Sequence, residues 1–260
     1  RDGLVTGVQT CALPIFNESV KMGTGTVTIS APDYAFTGGG AITGAGNMNI
    51  NLSSGNALSL GVTNLLSGAT LISGGDITLS KNGALGNAAQ ISGPTSIILG
   101  AGSITLPAVT VDAPTSIITG NNASSLINNL TTSSAVKISI ASEKDHGNND
   151  SSRAFDLAAN GTLASGTEIE FNGTGIDNRM GMNAASANYL ANAHLSLKGA
   201  AMFYINANQG GATTINIGSL AGESGTKLGW GRSVALERDI TWSTGALNTD
   251  SEFAGTITNT

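Results

Sequence analysis

Glu168 and Glu170 alternate on one strand-like run and so share a face, with Cα atoms about 6.6 Å apart at about 3.3 Å rise per residue. A carboxyl pair at that spacing suits an inverting glycosidase, where one acid protonates the leaving oxygen and the other carboxylate activates water. Such chemistry needs one of the two raised toward neutrality, and no neighbour in sequence supplies a reason for that. A solvated strand face is the expectation. Asn248-Thr249-Asp250 matches one motif of pectin-cleaving β-helix hydrolases. Those enzymes need further Asp, His and Arg-Lys motifs downstream, and only ten residues follow Asp250.

Other candidates fall short in the same way. Glu143, Asp145 and Asp150 offer oxygen ligands for calcium, but their spacing fits neither a helix–loop–helix calcium loop nor the Gly-rich nonapeptide repeat. His146 lies in the same charged stretch, and His194 shares an outward face with Ser196 and Lys198. Gly222-Glu223-Ser224-Gly225-Thr226-Lys227 lacks the Gly-Lys-Ser/Thr ending and following helix of a phosphate loop, so it reads as a turn. Trp230, Trp242 and Tyr204 would form a sugar platform if exposed; core or corner packing is expected instead. Thr26 and Thr28 begin a threonine ladder that Asn47 and Asn49 interrupt. No outward face is expected to gather two carboxylates, a basic residue and a histidine. The sequence therefore assigns no catalytic, metal or cofactor-binding residue, no cofactor and no enzymatic activity.

The elements that carry these residues are legible. Pro94-Thr95-Ser96-Ile97-Ile98-Leu99-Gly100 returns twenty residues later as Pro114-Thr115-Ser116-Ile117-Ile118-Thr119-Gly120. A fixed-period echo on a β-branched run is the mark of a chain that coils and stacks on itself. Alternation assigns inward faces to Val27/Ile29, Met48/Ile50/Leu52, Leu58/Leu60, Ile77/Leu79, Ile104/Leu106 and Val136/Ile138/Ile140. It resumes in Ile169/Phe171, Leu195/Leu197, Phe203/Ile205, Ile215/Ile217 and Ile240/Trp242. Only Ala185–Ala193 looks helical, so no crossover helices separate the strands. The expected fold is all-β, a parallel β-helix of about 20–25 residues per coil. A β-sandwich is the alternative, since it too has many short strands.

Composition agrees. The chain has 36 Gly, 11% charged and 4% aromatic residues, against about a quarter charged in ordinary globular chains. A core of stacked Val, Ile, Leu and Ala is what such a chain can build, with Gly and Asn at the corners. The net charge of −6 comes without any Lys/Arg cluster, which excludes a nucleic-acid footprint. No apolar run approaches the roughly twenty residues of a membrane helix, so no membrane insertion by this chain is expected.

Residues 1–15 resemble a translated short-read sequencing adapter, and Val5–Ile15 follows that string residue for residue. They are expected to be a non-native segment, which would make the single cysteine, Cys11, foreign as well. The remainder divides into a first β-helix arm (16–142), a polar loop (143–153) and a second arm (154–260).

The second arm resembles the autotransporter-associated β-strand repeat. Thr213-Thr214-Ile215-Asn216-Ile217-Gly218-Ser219-Leu220-Ala221-Gly222, Gly225-Thr226 and Gly245-Ala246-Leu247-Asn248-Thr249-Asp250-Ser251-Glu252-Phe253-Ala254-Gly255-Thr256-Ile257 carry the likeness. Ala221 stands where the pattern has Ser, and Glu252 where it has Thr. The resemblance covers 213–257. It implies a right-handed parallel β-helix in a passenger-type segment of a secreted or surface-anchored bacterial protein, extracellular or at the outer membrane, with no enzymatic role. The expected function is structural or display, with adhesion to host or matrix glycans or proteins left open. Alternatives are the flank or incomplete core of a polysaccharide lyase or hydrolase, or a carbohydrate-binding module.

Overall fold

β-branched residues at every second position fit a pleated surface with one buried face, and a run of such strands can close a core only by stacking on its own copies. The computed structural model describes residues 17–30, 33–100, 102–119, 125–142, 155–158, 160–183, 187–206, 214–230 and 240–258. These residues form an all-β, parallel solenoid of about 8 turns. The expected 1–15 segment and the polar stretch 143–153 lie outside the described residues. Parallel pairing throughout the described strands excludes the β-sandwich alternative, which needs antiparallel neighbours.

Two long stacks of strands run along the solenoid, beside a short third stack of Val20–Lys21, Ala41–Gly44 and Thr63–Leu66 and the pair Thr214–Ile217 with Thr241–Thr244. The first passes from Tyr34–Phe36 through Ala57–Leu60, Gly75–Leu79, Thr95–Leu99, Thr115–Thr119 and Lys137–Ser142. It continues in the opening halves of the long strands Thr167–Asn183 and Ala193–Asn206, and in Ser219–Gly222. The second stack begins at Val27–Ile29 and runs through Met48–Ile50, Thr70–Ile72, Ala88–Ile91, Thr105–Val111, Ser125–Thr131 and Phe155–Leu157. The closing halves of the two long strands belong to it, because both bend where the register shifts between Gly173 and Asn178.

The echo is a register. Ile77, Ile97 and Ile117 pair in succession, each twenty residues after the last. The next partners, Ile140, Phe171 and Leu197, follow at twenty-three, thirty-one and twenty-six residues, so coils in the second arm exceed the 20–25 of the first. All six side chains are buried. Fully burying one such side chain contributes about 1.5–3 kcal/mol, which makes this column a principal source of cohesion. Phe155, Phe171 and Phe203 fill the core of the second arm, where the first arm uses Ile and Leu.

Corners are closed by specific residues. Thr95 Oγ1 donates to the Gly93 carbonyl at 2.8 Å, and Thr115 Oγ1 to the Ala113 carbonyl at 3.0 Å. Each hydroxyl bridges a proline, which explains why the Pro-Thr pair returns with the echo. At another corner Gly68 N–H donates to the Gly46 carbonyl at 3.1 Å, and a Cβ on Gly46 would lie 1.8 Å from Gly25 O. Asn64 is buried and fully occupied: Nδ2 donates to Thr70 Oγ1 at 3.0 Å, and Oδ1 accepts from Leu66 N–H at 3.0 Å. Ala185–Ala193, expected to be the one helical segment, is not helical in its described part. Residues 187–192 form turns closed by Ala191 N–H to Asn188 O and Ala193 N–H to Leu190 O, and Ala193 already opens a strand.

Candidate functional site

Outward residues of the first stack form columns along the solenoid. One column reads Lys137, Glu168, His194 in register and ends on the buried Ser219. Its neighbour, two residues on, reads Asp76, Ser96, Ser116, Ser139, Glu170, Ser196. Glu168 and Glu170 do share a face, as their spacing predicts. The expectation that no outward face gathers two carboxylates, a base and a histidine is overturned by this register. Lys137 and His194 flank Glu168 on the coils before and after it.

The gathered groups close on each other. Lys137 Nζ lies 3.1 Å from Glu168 Oε1 and 2.8 Å from Glu170 Oε2. Lys198 Nζ lies 2.8 Å from the same Glu170 oxygen, and Ser139 Oγ donates to Glu170 Oε1 at 3.2 Å. Two ammonium groups thus balance two carboxylates across three successive coils. Burial pushes the Glu170 carboxyl up, and hydrogen bonds from Lys137 and Lys198 outweigh it, holding the group below the ordinary glutamate value. The hydrogen bond to Glu170 raises the Lys137 ammonium above its usual value, against the opposing effect of burial. That direction favours the carboxylate, the opposite of the raised value a general acid needs. The gap between the carboxylates, where an inverting enzyme keeps its water, holds the Lys137 ammonium.

His194 Nδ1 is hydrogen-bonded to Ser219 Oγ, and Ser219 is buried beneath the face. That burial denies its hydroxyl the access a nucleophile needs. Asn248, Thr249 and Asp250 are exposed near the far end of the described chain, with Asn248 at φ 49 in a turn. Residues 223–226 form the expected turn, in which Thr226 Oγ1 donates to Glu223 O at 2.8 Å and Gly225 takes φ 99. Tyr204 is buried and Trp242 packs on Phe203 with ring centroids 6.0 Å apart, so neither offers a free sugar platform. The side chain of Trp230 lies outside the described residues, as do Glu143, Asp145, His146 and Asp150. Among the described residues no group of three His, Cys, Asp or Glu side chains is placed to hold a metal. Among the described residues there is no helix long and apolar enough to cross a membrane.

Sequence reasoning missed Lys137 and Lys198 as the partners of Glu170. The usable signal was the alternation Lys137/Ser139, aligned with Glu168/Glu170 and Ser196/Lys198, but the thirty-one-residue coil hides it from any search at a fixed period of twenty. The chain matches no family model, no curated protein and no solved structure.

Proposed function

We propose that the chain is a structural and display segment of a secreted or surface-anchored bacterial protein, working outside the cell and engaging host or matrix glycans or proteins without turning them over. The observation that carries this reading is the closed ion network. Where acids, bases and a histidine meet among the described residues, each charge satisfies another across coils and serves cohesion. The resemblance of 213–257 to the autotransporter-associated repeat supports the same reading. A rigid stack of parallel coils holds loops and faces apart from one another, which suits presentation.

The test is an assay of the purified chain on a panel of neutral and acidic glycans, run beside the double substitution Glu168→Gln/Glu170→Gln. Product should form with neither protein. Turnover that the double substitution abolishes would overthrow the display reading and promote a lyase or hydrolase.

A further inference from the structure

Ser96, Ser116 and Ser139 stand in register on three successive coils, with Asp76 one coil before them. They line an open trough of about 330 Å³ together with Pro94 and Pro114, which are exposed along one side, and with Lys137 at the far end. The Ser96 and Ser116 hydroxyls make no hydrogen bond to any described residue. The trough thus offers, on two successive coils, an unengaged hydroxyl beside an exposed proline, while the Ser139 hydroxyl is already given to Glu170. It is uncharged between Asp76 and Lys137, and Lys137 is already held by Glu168 and Glu170.

We propose that this trough binds a neutral linear polysaccharide lying along the solenoid axis, about one sugar to each coil. The inference rests on the display reading and deepens it by naming the ligand class and its place. Successive coils are about 4.8 Å apart, and an extended β-linked pyranose chain advances by close to that distance per sugar. Its C–H faces can cover Pro94 and Pro114 while its hydroxyls meet Ser96 and Ser116. A peptide strand repeats its facing side chains at about 6.6 Å and falls out of phase with the coils. The backbone groups of these strands are spent on their coil neighbours, which leaves no sheet edge here for strand addition. A polyanionic glycan is disfavoured by the net charge of −6.

The experiment is calorimetric titration of the full chain with cellohexaose, chitohexaose and mannohexaose, alongside peptides from a matrix protein. Variants are Ser96→Ala/Ser116→Ala, Ser116→Glu, and Thr110→Ala on the outward face of the second stack as a control. Circular dichroism and Tm establish that each is folded. At least one hexasaccharide should bind the parent and Thr110→Ala equally, at least ten-fold more weakly to the double alanine variant, and undetectably to Ser116→Glu. Failure of all three sugars to bind, equal binding by the double alanine and control variants, or displacement of a bound sugar by the peptides overturns the proposal. Those failures leave the display reading standing. Cleavage of a bound sugar, lost in Glu168→Gln/Glu170→Gln, defeats that reading instead.

Discussion

Glu170 is the residue on which three coils converge, and its value to the fold is set by how little water reaches it. Its side chain is 11% exposed while Lys137 and Lys198 are 43% and 41% exposed, so the network lies between a surface pair and a buried one. Glu170→Gln should therefore cost about 1–2 kcal/mol, more than an ordinary exposed ion pair contributes, in urea unfolding. The sign with pH follows from the shifts. Glu170's contribution is complete above the ordinary glutamate value of 4.5 and is lost as pH falls through its lower folded value. Lys137's is complete below 10.5 and is lost as pH rises through its higher folded value. Tm curves of the parent and Glu170→Gln should stay apart from about pH 5 to 10 and converge in acid; a constant gap down to pH 2 would show that Glu170 does not act as an ion. Thr119 gives the opposite case. It replaces, within the echo, the Leu99 of the coil before, and its buried hydroxyl has no partner among the described residues. Thr119→Val should stabilise by about 1 kcal/mol, since it removes an unpaid desolvation and keeps the shape. A loss of that size would mean that the hydroxyl is satisfied.

The coil corners, as elements, are as selective as the core. A Cβ on Gly93 would sit 1.8 Å from Ser73 O on the coil below, whereas one on Gly39 meets nothing within 4 Å. Gly93→Ala should lower stability by about 2 kcal/mol or more, through forced separation of coils, and Gly39→Ala should stay within about 0.5 kcal/mol. Urea midpoints at unchanged m check the pair, and equal effects would show that the corner relaxes freely. The same elements mark what a reader of the sequence can see. Period-two alternation at Met48/Ile50 and Ile169/Phe171 fixes which face is buried, because one wrong step would expose every apolar side chain of the strand. The twenty-residue echo fixes the neighbour of Ile97. Beyond Ile140 the coil length changes, and with it goes any way to align Lys137 with Glu168 by counting. The charge cluster was invisible because its members are brought together by pairing between coils, and no local pattern records a partner thirty-one residues away. Ala185–Ala193 misled in the other direction: alanine favours helix as a residue type, while the hydrogen bonds of 187–192 close turns that lead Ala193 into its strand.

At the scale of the molecule, each coil touches chiefly the coils above and below it, so stability is a sum of coil terms and nearest-neighbour interfaces. This separates the solenoid from a globular core, where most large side chains share neighbours. Ile97 and Ile117 are buried and paired directly, while Ile215, equally buried, belongs to the strand Thr214–Ile217, whose described pairing is with Thr241–Thr244. Truncation of either neighbouring isoleucine to alanine should cost about 2–4 kcal/mol. The double variant Ile97→Ala/Ile117→Ala should depart from the sum of its singles by about 0.5 kcal/mol or more, because the two cavities adjoin and relax together. Ile97→Ala/Ile215→Ala should match its sum within about 0.3–0.5 kcal/mol, as expected for sites with no shared partner. Urea unfolding of the parent, the two single variants and the double variant in each cycle measures both terms. Coupling between Ile97 and Ile215 as large as that between Ile97 and Ile117 would mean that strain travels the length of the stack, and a molecule of that kind could not keep its faces independent for separate contacts.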